Sequence, residues 1–101
     1  NKYQELTKYP AVNLDLSVVI DDQVKWKDIK SLVLASDNTI ISAVDLLDVF
    51  KNDKIEVGKK SLTFRTTYQS DERTLEMDEV NKLHEKIIAQ LKKAVGAEVR
   101  G

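Results

Sequence analysis

The side chains able to do chemistry gather in one short stretch: Lys59, Lys60, Arg65 and Arg73. Cations this close together could track the phosphate backbone of a nucleic acid, because each neutralised phosphate releases a counterion. On composition alone the same four read as ordinary solvent-exposed charge. Arg65 stands apart, since a guanidinium is a planar fork that suits phosphates or base edges. Other candidates fall away. His84 is the single histidine, and without a Ser or Cys partner it makes no catalytic device, so it reads as a structural residue on the flank of a helix. Asp21-Asp22 and Asp45/Asp48 lack the spacing of a calcium loop and read as solvated strand ends. Gly58-Lys59-Lys60-Ser61 echoes a phosphate loop, but the upstream glycine is missing and a strand, not a helix, follows.

These residues must be positioned by elements whose periods are legible. Pro10 favours an extended lead-in over residues 1–12. Leu14, Leu16, Val18 and Ile20 then alternate with Asn13, Asp15, Ser17 and Val19, which predicts a strand over 13–20 with one buried face. Trp26, Ile29, Leu32, Val33 and Ser36 follow helical spacing, and Asp37-Asn38 provides a stop. A second β-rich run covers 40–50, where alternation slips around Asp45 and so predicts a bulge or an exposed edge. After Gly58, a residue free to turn with positive φ, residues 59–68 return to period two. Met77, Val80, Leu83, Ile87, Leu91, Ala94 and Val95 form the stripe of a long helix over 76–94. Acids lead that helix and lysines end it, matching its dipole, and Gly96 closes it. Residues 97–100 leave room for one short strand.

The order strand, helix, strand, strand, helix, strand predicts an α+β fold, a ferredoxin-like βαββαβ sandwich with a four-stranded antiparallel sheet and both helices on one face. Strands one and three lie at the centre, so their apolar sides face the helices. Parity then puts Asn13, Asp15 and Ser17, with Ser61, Thr63, Arg65 and Thr67, on a polar open face. Asp15 either pairs with Arg65 or joins it in meeting a ligand. The RNA-recognition motif shares this topology but stacks bases on exposed sheet aromatics. Here Phe64 and Tyr68 point inward by parity, so RNA contact on this face is expected to use hydrogen bonds and charge rather than stacking.

Composition sets the outer bounds. The chain has 101 residues, enough for one domain and one core. It has no cysteine, which excludes disulfides, thiol nucleophiles and Cys-based zinc sites and suits a reducing cytoplasm. No run approaches a membrane span. The formal net charge is −1, yet residues 1–50 carry five lysines against eight acids while residues 51–73 carry six cations against four. Dedicated nucleic-acid binders are usually basic overall, so bulk charge argues against RNA and the basic middle allows a local patch. With neither an initiator Met nor a signal peptide, the sequence reads as an excised fragment.

Four segments, in order, resemble one family. They are Lys8-Tyr9-Pro10-Ala11-Val12 with Asp15-Leu16-Ser17-Val18-Val19; Asp45-Leu46-Leu47-Asp48-Val49-Phe50; Gly58 to Arg65 with Thr67-Tyr68-Gln69-Ser70; and Glu72-Arg73-Thr74-Leu75 with Asp78-Glu79-Val80-Asn81. Together they are similar to the ferredoxin-fold anticodon-binding domain that closes the β chain of bacterial phenylalanyl-tRNA synthetases. Two departures stand out: Asn13-Leu14 replaces the family's usual basic residues, and Glu76 replaces its Thr/Ser at the second helix, leaving Thr74 or Glu76 as cap. The resemblance implies a single non-catalytic domain over 1–101 that holds the anticodon stem-loop of tRNA(Phe). Its implied partners are the rest of the β chain and the α chain of an (αβ)2 cytoplasmic ligase, with no membrane involved. No cofactor is expected in this domain, ATP and Mg2+ being handled elsewhere in the parent. Asp15, Ser61, Thr63 and Arg65 are the expected RNA contacts on the open face, with Lys59, Lys60 and Arg73 steering phosphates. The competing expectation is a structural module whose open sheet packs on protein.

Overall fold

Apolar residues at alternate positions of two strands and along one stripe of each helix leave a single way to bury them, and the chain takes it. The computed structural model describes residues 9–37 and 39–100. Its elements are β1 (Val12–Asp21), α1 (Trp26–Ser36), β2 (Ile41–Phe50), β3 (Lys59–Tyr68), α2 (Met77–Val95) and β4 (Glu98–Arg100). The sheet order is β2-β3-β1-β4 with every pairing antiparallel, the expected ferredoxin-like arrangement. Of the expected lead-in, residues 1–8 lie outside the described residues; Gln69 Nε2 donates to the Tyr9 carbonyl at 2.5 Å, just before β1 begins.

The core sits between the sheet and the helix layer. Leu16, Val18 and Ile20 of β1 and Leu62, Phe64 and Tyr68 of β3 are buried there, as parity requires. Ile29 and Val33 of α1 and Val80, Ile87 and Leu91 of α2 meet them. Trp26 packs its ring 5.7 Å from that of Phe64 and closes the core beneath the start of α1. Each such fully buried side chain is worth about 1.5–3 kcal/mol of transfer free energy. Among the described residues one polar atom is left over: Thr66 Oγ1 is buried with no hydrogen-bond partner.

Local chemistry sets the element ends. Glu76 is the N-cap of α2, and the Glu79 carboxylate accepts its backbone N–H at 2.8 Å, forming a capping box. Arg73 grips the same carboxylate with two bonds of 2.6 and 2.8 Å. Together these hold the Glu79 carboxyl down to about 2. At the other end Gly96 takes the left-handed conformation (φ 66°), so its N–H and that of Ala97 close on the carbonyls of Lys92 and Leu91. A residue with a Cβ would be strained there.

Candidate nucleic-acid interface

The register of β1 on β3 builds the open face row by row. Asp15 lies opposite Arg65, Ser17 opposite Thr63 and Asn13 opposite Thr67. Each pair is joined by side-chain hydrogen bonds. Arg65 donates from Nε and Nη2 to the two Asp15 oxygens at 2.8 and 3.2 Å. The Ser17 and Thr63 hydroxyls meet at 2.7 Å, and Thr67 donates to the Asn13 side chain at 2.8 Å. The hydrogen bonds from Arg65 hold the Asp15 carboxyl below its ordinary range. Both members of the ion pair are nearly half exposed, so water screens it and it contributes little to stability.

Strand β2 adds what parity alone does not show. Two register shifts, between Ile41 and Ala43 and between Leu46 and Asp48, bracket the slip around Asp45. After the first, Val44 and Leu46 lie on the helix side opposite Thr66 and Phe64, while Asp45 faces out opposite Arg65. Strict alternation would then turn Phe50 inward with Leu46. The second shift absorbs one residue and reverses the phase, placing Asp48 opposite Thr63 and Phe50 opposite Ser61 on the open face. An aromatic ring therefore stands on a surface from which parity excludes Phe64 and Tyr68 and where RNA contact was expected to use hydrogen bonds and charge rather than stacking.

The ring has a partner from the far edge. Arg100 of β4 pairs in register with Ser17 and so shares its face. Its guanidinium reaches across both central strands, donates from Nη1 to Ser61 Oγ at 2.8 Å and stands 5.2 Å from the Phe50 ring centre. The two edge strands thus meet above the middle of the sheet, and Ser61 is fully buried beneath them. Beside this arch Ser17, Phe50, Thr63 and Arg100 line an open pocket of about 520 Å³. Its hydroxyl floor and its aromatic and guanidinium walls suit a flat heterocycle with polar edges, because both walls stack on π-faces.

The remaining expected residues fall around this centre. Lys59 shares the open side, opposite Asp21, whereas Lys60 lies opposite Ile20 and so projects toward the helix side. Arg73 is committed to Glu79 at the start of α2. Among the described residues the open face carries Asp15, Asp45, Asp48 and Glu98 against Arg65 and Arg100, with Asp21 and Lys59 cancelling at one end. It is anionic. Asp45 and Asp48 form no ion pair among the described residues.

On the opposite side of the sheet, His84 of α2 bonds through Nδ1 to the Tyr68 hydroxyl at 3.0 Å. Burial holds this imidazole below its usual range and pushes the Tyr68 hydroxyl up to about 12. The pair is a satisfied contact at the rim of the core. Among the described residues no group of three His, Asp or Glu side chains could hold a metal, and no helix is long and apolar enough to cross a membrane.

Sequence reasoning missed Phe50, Asp48 and Arg100. The slip at Asp45 was the available signal for the first two, since an odd number of inserted residues reverses every side chain beyond it. Arg100 gave none, because a three-residue strand has no measurable period.

Comparison with known proteins adds a second line. Residues 7–100 match the family model described as ferredoxin-fold anticodon binding domain. The chain is 41% identical over 99 residues to the phenylalanine–tRNA ligase β subunit of Clostridium tetani, covering 98% of this chain and 12% of that protein. It is 35% identical over 100 residues to the same subunit from Geobacillus kaustophilus, and 38% over 98 residues to that from Streptococcus mutans, again 12% of each. The chain thus spans about an eighth of the length of these relatives.

Proposed function

The chain belongs to the family of ferredoxin-fold anticodon-binding domains, and from that premise we propose that its open sheet holds the anticodon loop of tRNA(Phe) for a phenylalanine–tRNA ligase without doing chemistry itself. In this reading the parent is an (αβ)2 ligase of the cytoplasm, the rest of the β chain and the α chain are its partners, and ATP and Mg2+ act elsewhere.

The observation that carries the reading is the pocket walled by Phe50 and Arg100. Single-stranded RNA is recognised through unstacked bases laid on aromatic rings or guanidinium planes, with hydrogen bonds to their edges. Ser17 and Thr63 supply hydroxyls that both donate and accept, and the Asp48 carboxylate beside them accepts from base N–H groups. Ser61 acts indirectly, by anchoring Arg100. Asp15 holds Arg65 side-on, which leaves Nη1 unspent and able to donate to a base acceptor. Lys59 steers phosphates at the end of the open face, while Lys60, on the helix side, and Arg73, screened by Glu79, contribute at longer range.

Titration with a phenylalanine anticodon hairpin tests the reading. The chain should prefer that hairpin to one with a scrambled loop, and the preference should persist as salt is raised, because base contacts carry no counterion release. Equal binding to both hairpins at every salt concentration would defeat it.

A further inference from the structure

Asp45 is not needed to neutralise Arg65, which Asp15 already holds with two hydrogen bonds. Aspartate is depleted in strands, and this one forms no ion pair among the described residues. It is exposed and lies on β2 directly opposite Arg65 of β3, while Asp15 lies directly opposite the same residue on β1. Directly opposite residues have Cβ atoms about 4.5–5.5 Å apart, so both carboxylates act on one guanidinium. The row Asp15–Arg65–Asp45 therefore carries two negative charges and one positive, and Asp48 in the next row adds another.

That arrangement inverts the usual design of an RNA surface. Lysines and arginines that neutralise phosphates supply nearly all non-specific affinity, and an unopposed Arg65 at the centre of an open sheet would do so for any strand. Asp15 alone neutralises and orients it. Asp45 goes further and makes the site net repulsive to phosphate, while a base edge with N–H donors still finds acceptors there. Discrimination of this kind comes from an element that opposes the wrong ligand.

We propose that Asp45 is a specificity-determining residue: its carboxylate, on β2 directly opposite the Asp15-bound Arg65 of β3, stops that guanidinium from serving as a phosphate clamp and so excludes RNA held by its backbone alone. The proposal rests on the anticodon-holding reading and names what that surface rejects. The partner class is single-stranded RNA presented base-first, and the excluded class is any strand presented phosphate-first.

The test compares the 101-residue chain with Asp45→Asn and Asp45→Glu, each titrated with a uridine oligonucleotide and with the phenylalanine anticodon hairpin across a salt series. Asp45→Asn should bind the uridine strand about threefold more tightly at low salt, the effect of one unit charge acting over about 7 Å through water. Its salt slope should steepen by about 0.7, one additional phosphate on a single strand, and the hairpin-to-uridine ratio should fall. Asp45→Glu should behave as the unsubstituted chain. Unchanged uridine binding in Asp45→Asn at every salt concentration overturns the proposal, as does an equal gain for both RNAs that leaves the ratio untouched. If the unsubstituted chain shows no hairpin preference, the functional reading fails, yet the uridine titration still decides whether Asp45 excludes phosphate.

Discussion

Replacing Phe50 by alanine removes one wall of the open-face pocket and releases the other. The ring is half-buried on the open side and belongs to no part of the helix-facing core, so its loss should leave folding nearly intact. Its effect on binding should be large. A base stacked on an aromatic side chain contributes about 1–3 kcal/mol, and Arg100, which the ring helps to hold, loses a cation–π contact worth about 0.5–1 kcal/mol at an exposed site. A combined loss near 2 kcal/mol corresponds to roughly thirtyfold weaker hairpin binding. Fluorescence anisotropy with a labelled anticodon hairpin measures this directly, alongside a urea midpoint to confirm that the fold survives. Phe50→Tyr should keep most of the affinity because it keeps the ring. Binding within threefold of the unsubstituted chain for Phe50→Ala, at an unchanged urea midpoint, would show that no base stacks there.

Three further outcomes follow from other parts of the structure. In the proposed parent ligase, Arg65→Ala should raise the KM for tRNA while amino-acid activation by pyrophosphate exchange stays unchanged; unaltered tRNA kinetics would remove Arg65 from the interface. Thr66→Val should stabilise the chain by about 1 kcal/mol, since it deletes a buried hydroxyl that has no hydrogen-bond partner among the described residues, and a lower urea midpoint in the variant would contradict this. The Glu79 carboxyl should titrate near 2, because hydrogen bonds from Arg73 and the Glu76 backbone favour its charged form. A depressed value means that its contribution to helix α2 is present above the unfolded carboxyl range and is lost as pH falls toward 2. Carbon-detected NMR titration should show this, and Arg73→Ala should move the midpoint back up; a midpoint unmoved by that substitution would exclude the pair as its cause.

The central strands were readable because each repeats its period for long enough to fix a phase. From Leu14 to Ile20, and from Leu62 to Tyr68 with the exception of Thr66, every alternate residue is apolar, and the register pairs them as parity demands. Asp15, Thr63 and Arg65 therefore appear on the open face where residue spacing alone puts them. At Ser61 parity stops being enough. Its face was legible, but its burial depends on Arg100, which arrives from the opposite edge of the sheet. Phe50 was hidden for a different reason. Residues 45–49 are all exposed, so neither face of β2 has a hydrophobic run to declare it, and two bulges decide the phase instead. The clustering of Lys59 and Lys60 in sequence likewise said nothing of their divergence, which follows from neighbours in a strand pointing to opposite sides.

Backbone amide shifts recorded while the anticodon hairpin is titrated into the chain bear most directly on the claim that the open sheet is the RNA surface. The largest changes should fall on Ser17, Phe50, Thr63 and Arg100, with the exposed side of α2 around Gln90 and Lys93 undisturbed. Changes concentrated on the two helices, with those four amides still, would place the RNA on the wrong side of the sheet for everything argued from the pocket.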